Sequence, residues 1–132
     1  MIEEPRWVSL ATLHLLHHWQ VERFGGLNGV RDEGVLSSAI ARPINRFHYE
    51  PDLDIADLAA TYLIGLARQQ GFLDGNKRTA ALTSLMFLAE AGYKIDVPQA
   101  ELFAITLAAA NNSITVEAAA AWTRERMMPG NY

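Results

Sequence analysis

The sequence predicts an all-α fold, a bundle of about six helices around a central buried helix. Three observations carry this. Apolar residues recur at three- and four-residue steps. Capping and breaking residues punctuate the chain at helix-length intervals. One segment, residues 76–91, is apolar or small on every side, as a helix surrounded by others must be.

The first helix is expected over residues 9–23, with Leu10, Leu13 and Leu16 inward and Gly25-Gly26 ending it. The second starts at Asp32, a good N-cap, and is expected to stop before Pro43, because proline disfavours the helical conformation of its predecessor. The third begins near Asp54. Its residues Ile55, Leu58, Ala59, Tyr62 and Leu66 form one apolar face, and Gly71 is expected as its left-handed terminator. The fourth is the all-round apolar segment, closed by Gly92 and expected to be the core of the bundle. A fifth starts near Pro98 and a sixth near Thr115, with Val116, Ala120, Thr123 and Met127 on one stripe. Residues 93–97 read as a short extended piece. Residues 43–53, with two prolines and the rings of Phe47, His48 and Tyr49, read as a loop or hairpin flap, whose Phe47 and Tyr49 either grip a target peptide or pin the loop to the bundle.

Length and composition narrow the function. A chain of 132 residues is read as one domain spanning residues 1–132, large enough for one core. There is no cysteine, which excludes a disulfide framework, a thiolate metal site and a cysteine nucleophile. The net charge of −4 argues against a nucleic-acid coat, so no direct nucleic-acid binding is expected. Met1-Ile2-Glu3-Glu4-Pro5 is not a signal-peptide start, and no apolar run reaches the roughly 18 residues of a membrane span. A cytoplasmic protein with no membrane partner is the expectation.

The chemistry concentrates at Phe72-Leu73-Asp74-Gly75-Asn76-Lys77-Arg78, where the fourth helix opens. The N-terminal turn of a helix is electropositive and ordinarily carries acidic residues. Two cations there are unfavourable unless an anion joins them. Free N–H groups at that end favour phosphate, Gly75 lets a ligand approach the backbone, and Lys77 and Arg78 add charge-assisted bonds. Asp74 is placed to hold Mg²⁺ against phosphate oxygens. A plain helix cap with two solvated cations is the simpler alternative. Walker A spacing is absent.

The segment Gly71-Phe72-Leu73-Asp74-Gly75-Asn76-Lys77-Arg78-Thr79-Ala80-Ala81 resembles the active-site motif of Fic/Doc proteins, specifically the Doc (death-on-curing) toxin branch. Its flanks resemble Doc as well: Glu22-Arg23-Phe24-Gly25-Gly26, Gly29-Val30-Arg31-Asp32, Leu36 to Pro43 and Phe87 to Tyr93. The resemblance implies a Fic-type helical bundle that uses ATP and Mg²⁺. Most Fic proteins transfer AMP to a hydroxyl, but Lys77 and Ala81 look like Doc, which transfers the γ-phosphoryl group to a threonine of elongation factor Tu. By the same resemblance Asp74 would hold the metal, and Gly75, Asn76, Lys77 and Arg78 the phosphates. A Phd-type antitoxin would neutralise the protein by folding a disordered tail onto its groove.

The sequence departs from the motif at its opening, where Gln70-Gly71-Phe72 replaces His-Pro-Phe or His-x-Phe. Gln70 stands where the family has the histidine that takes the proton from the acceptor hydroxyl. An amide does not titrate near neutrality, and loss of a general base costs roughly 10²–10⁴ in rate. Three alternatives stay open: a Doc-like protein with weakened or lost transferase activity, in the limit a non-catalytic module binding an antitoxin-like helix or a nucleotide; an active enzyme with another base, for which His48 is the one candidate; and a substitution introduced to make a toxic protein tolerable. Elsewhere His14 and His18, four residues apart, have the spacing of a metal pair, yet a solvated polar face explains them more simply.

Overall fold

Helix α3 (Ile55–Arg68) has ten of its fourteen residues buried and packs against α2 (Glu33–Tyr49), α4 (Asn76–Glu90), α5 (Gln99–Ala110) and α6 (Val116–Arg126). These elements, with α1 (Leu10–Phe24), form the all-α bundle in a computed structural model that describes residues 1–130. No helix among the described residues is long and apolar enough to cross a membrane. The centre of the bundle is thus α3, not α4. Alanine and leucine ring α3 on all sides, whereas α4 keeps Ala81, Leu82 and Leu85 only half-buried along an open groove.

Side-chain caps start most of the helices. Ser9, Asp32, Asp54 and Thr115 each accept an N–H from their own first turn. Asp54 and Asp57 form a reciprocal capping box, and Arg124 of α6 clamps both carboxylates at 2.7 and 3.2 Å. The Arg124 guanidinium holds the Asp54 carboxyl down at about 2. Helices α4 and α5 open without a side-chain cap, on Gly75 and Pro98, and of the two only α4 also lacks an acidic residue in its first turn.

Two expectations about the connections fail. The second helix does not stop at Pro43. It runs to Tyr49 with Pro43 buried inside it, so there is no flap at residues 43–49. Proline removes one helical hydrogen bond and costs about 3 kcal/mol in a helix interior. Here burial of Pro43 and Phe47 against the bundle outweighs that cost. Phe47 meets Trp7 edge to face at 5.6 Å, and Trp7 stacks on Phe87. His48 turns toward Glu4, 3.9 Å away, and Tyr49 is exposed at the helix end.

Gly71 is not a left-handed terminator either, since α3 ends at Arg68. Its lack of a side chain serves a close approach: a Cβ there would sit 2.5 Å from Leu36. The Gly71 carbonyl accepts the N–H groups of Arg31 and Asp32, and Val30 bridges to Phe72. The loop before α2 is therefore stitched to the loop before α4. The extended piece is β1 (Tyr93–Ile95), which pairs antiparallel with an unforeseen β2 (Met127–Pro129).

Candidate active site: an uncapped helix start above a buried imidazole

The loop between α3 and α4 is held from inside by its own side chains. Asn76 is buried, and its carboxamide clasps Phe72: Oδ1 accepts the Phe72 N–H and Nδ2 donates to the Phe72 carbonyl, both at 3.0 Å. Gln69 Nε2 donates to the same Oδ1 at 3.4 Å and to the Leu66 carbonyl, while Gln69 Oε1 accepts the Gly71 N–H. Asn76 is thus a clasp that shapes the loop. These bonds use one of the two Nδ2 hydrogens, which leaves the other for the expected phosphate contact.

Helix α1 supplies the floor. The His17 imidazole lies face to face on Phe72, ring centroids 3.7 Å apart and 2° from parallel. Its Nε2 is 2.8 Å from the Asp74 carbonyl oxygen, which can only accept, so Nε2 carries the proton. Burial pushes the His17 pKa down, and the Asp74 bond partly opposes that shift. One turn on, the Gln20 amide lies fully buried under Gly75, with no hydrogen-bond partner for either polar atom. A Cβ on Gly75 would sit 1.9 Å from Gln20 Nε2, and Gly75 has φ +77°. Conformation and contact both demand glycine there.

The functional side chains sit on this frame. Asp74 is exposed, and its carboxylate accepts the Gly75 and Leu27 N–H groups at 2.9 and 3.2 Å. Lys77 and Arg78 are exposed and have no carboxylate within 4 Å among the described residues. Arg78 rests over the Phe24 ring at 4.8 Å. Gln70, Asp74, Gly75, Lys77 and Arg78 all line one groove of about 730 Å³, whose far wall includes Leu102 and Phe103 of α5. The arrangement offers unsatisfied N–H groups, two unpaired cations and one carboxylate to a ligand.

A model of the Fic/DOC family matches residues 7–88, which takes in α1 to α3, the whole loop and all but the last two residues of α4. The chain belongs to the Fic/DOC family. It is 39% identical over 116 residues to the protein kinase doc of Escherichia phage P1, covering 87% of this chain and 90% of that relative. It is 40% identical over 83 residues to the toxin Doc of Mycolicibacterium smegmatis, covering 59% of this chain and 64% of that relative. Both names come from the Doc branch, in line with the Lys77 and Ala81 signature.

Within this Fic/DOC chain the expected flap residues Phe47, His48 and Tyr49 do not line the groove, so His48 is no substitute base. His14 and His18 are not a metal pair: His14 meets Glu33 at 2.7 Å, and His18 meets Glu22 at 3.7 Å. Among the described residues no three His, Cys, Asp or Glu groups cluster as metal ligands. Sequence reasoning missed His17, Gln20 and Gln69. The first two had a signal, because Leu10, Leu13, His17 and Gln20 recur at steps of three and four and so mark the inward stripe of α1.

Proposed function

We propose that this protein is a Doc-type toxin of a toxin–antitoxin pair. It binds a nucleoside triphosphate in the groove and transfers the γ-phosphoryl group to a protein hydroxyl. The observation that carries this reading is the pair Lys77 and Arg78, unpaired at the uncapped start of α4 and facing the groove. The kinase and toxin names of the two relatives agree with it. Lys77, Arg78 and the N–H groups after Gly75 would hold the phosphates of ATP.

Asp74 is suited to Mg²⁺. Magnesium commonly takes one or two carboxylates and completes its shell with phosphate oxygens and water. The Asp74 carboxylate is exposed, and two N–H bonds leave it further lone pairs. When bound, the ion would neutralise charge on the phosphates.

In the transfer the acceptor oxygen bonds to the γ-phosphorus, the bond to the β–γ bridging oxygen breaks, and the nucleoside diphosphate leaves. Gln70 can orient the hydroxyl without taking its proton, which then passes to water or to an oxygen of the transferred phosphoryl group. Positioning and charge dominate phosphoryl transfer, so the reaction is slowed rather than abolished. A threonine of elongation factor Tu is the proposed acceptor, a Phd-type antitoxin the proposed partner, and the cytoplasm the proposed location. Transfer of label from γ-labelled ATP, and none from α-labelled ATP, to a protein in bacterial lysate tests the reading. Label from the α position would mean AMP transfer.

A second reading, a non-catalytic binding module, rests on Gln70 itself and on the apolar far side of the groove. There Leu82, Leu85, Leu102 and Phe103 offer a surface for an antitoxin-like helix. Nucleotide binding without turnover would select this reading.

A further inference from the structure

A second cavity, sharing no lining residue with the motif groove, lies between α2, α3 and the turn joining α5 to α6. Three arginines line it, Arg42, Arg46 and Arg68, in a chain whose net charge is −4. Its volume is about 350 Å³. We propose that this cavity is an anion site that takes a phosphate or diphosphate group carried by a small molecule.

Two of the guanidinium groups are fixed in advance. Arg68 donates from Nε to the Ala109 carbonyl at 3.0 Å and from Nη2 to the Ile114 carbonyl at 2.7 Å. Arg46 donates from Nε and Nη2 to Glu50 and from Nη1 to the Thr61 hydroxyl at 2.7 Å. A guanidinium has five N–H donors. Arg68 therefore keeps three unspent and Arg46 two. Arg42, one helical turn before Arg46, has no carboxylate within 4 Å among the described residues.

The charge around the cavity is unbalanced. Glu50 answers Arg46 alone, and Arg68 spends its bonds on neutral carbonyls. Asp57 and Glu117 act on Arg46 only through space, and Asp57 is already bound to Arg124 and to the Asp54 N–H. Converging guanidinium groups repel one another unless an anion sits between them. Rigid planar forks suit the several oxygens of a phosphate better than a single-charge ion. Asn112, Ser113 and Thr115 add polar groups at the rim. The apolar wall of Ile64, Ile114 and Val116 suits the organic part of the ligand, and the volume lies at the small end of ligand pockets.

The test uses inorganic pyrophosphate as probe, followed by calorimetry at low salt, on the Lys77→Ala/Arg78→Ala protein. That background removes the two cations of the motif groove, and Arg42 lines only the second cavity, so its effect does not depend on the proposed transferase activity. We expect one saturable pyrophosphate site, weakened about tenfold or more by adding Arg42→Ala. Arg42 is exposed, so circular dichroism of that variant should be unchanged. Absence of saturable binding in the Lys77→Ala/Arg78→Ala protein would overturn the proposal, as would an affinity indifferent to Arg42→Ala.

Discussion

The imidazole of His17 and the ring of Phe72 are stacked 3.7 Å apart, and the same imidazole donates to the carbonyl of Asp74, two residues on. One side chain of α1 therefore fixes both the anchor of the motif loop and the backbone of its metal-binding candidate. His17→Ala removes a stacked pair and a hydrogen bond and leaves a cavity. We expect a loss of about 2–4 kcal/mol in denaturant unfolding.

The same contact gives a pH dependence of known sign. Burial lowers the His17 pKa below its ordinary 6.5, so the unfolded chain binds the proton more tightly than the folded one. His17 adds no penalty above that pH. Stability should fall as the pH drops below 6.5 and level off once the folded-state pKa is passed. Denaturant midpoints between pH 5 and 8 on parent and His17→Ala check this, and the variant should lose that part of the slope.

Gly75 and Gln20 form a second coupled pair. Gly75→Ala puts a Cβ into the Gln20 amide and forces alanine into a left-handed conformation. The conformational part alone costs about 1–2 kcal/mol, and the contact adds to it. Combining it with Gln20→Ala should cost less than the sum of the two single changes, because the contact is gone. Strict additivity would show that the loop does not rest on Gln20.

Breaking the Asn76 clasp should matter more for folding than for charge. Asn76→Ala strands the N–H and carbonyl of the fully buried Phe72, and each unsatisfied buried group costs about 1–3 kcal/mol. A drop of about 2–4 kcal/mol is expected by denaturant unfolding. Lys77→Ala and Arg78→Ala should do the reverse. Both side chains are exposed, so stability should move by less than about 0.5 kcal/mol. Affinity for ATP with Mg²⁺ should fall about tenfold or more, since a charge-assisted bond is worth roughly 1.5–3 kcal/mol.

How much of this was legible in the sequence depended on whether a local signal controlled the outcome. The caps Asp32, Asp54 and Thr115 are local chemistry, and all three start helices where expected. The cations at the start of α4 could be read as unusual without any tertiary information. Pro43 was misread because its local cost is overridden by long-range burial, which no window of sequence reveals. Taking residues 43–53 for a flap followed from that one error and moved Phe47 from the core to the surface. Gly71 was assigned the wrong reason for being glycine, since its neighbour Leu36 is 35 residues away. His17 and Gln20 lay on the inner stripe of α1. Polar residues on an apolar stripe carry no local signal of burial beyond their spacing, and only the docking of α1 under the loop gives them a role.

We propose that the groove is an intact phosphoryl-transfer site slowed by the amide of Gln70. The measurement that tests it most directly is the rate of γ-label transfer from ATP to protein in bacterial lysate, for the parent and for Gln70→His. The account predicts weak or undetectable transfer by the parent and a gain of about 10²–10⁴ on restoring the imidazole. Silence from both proteins would contradict it and leave a binding module in its place.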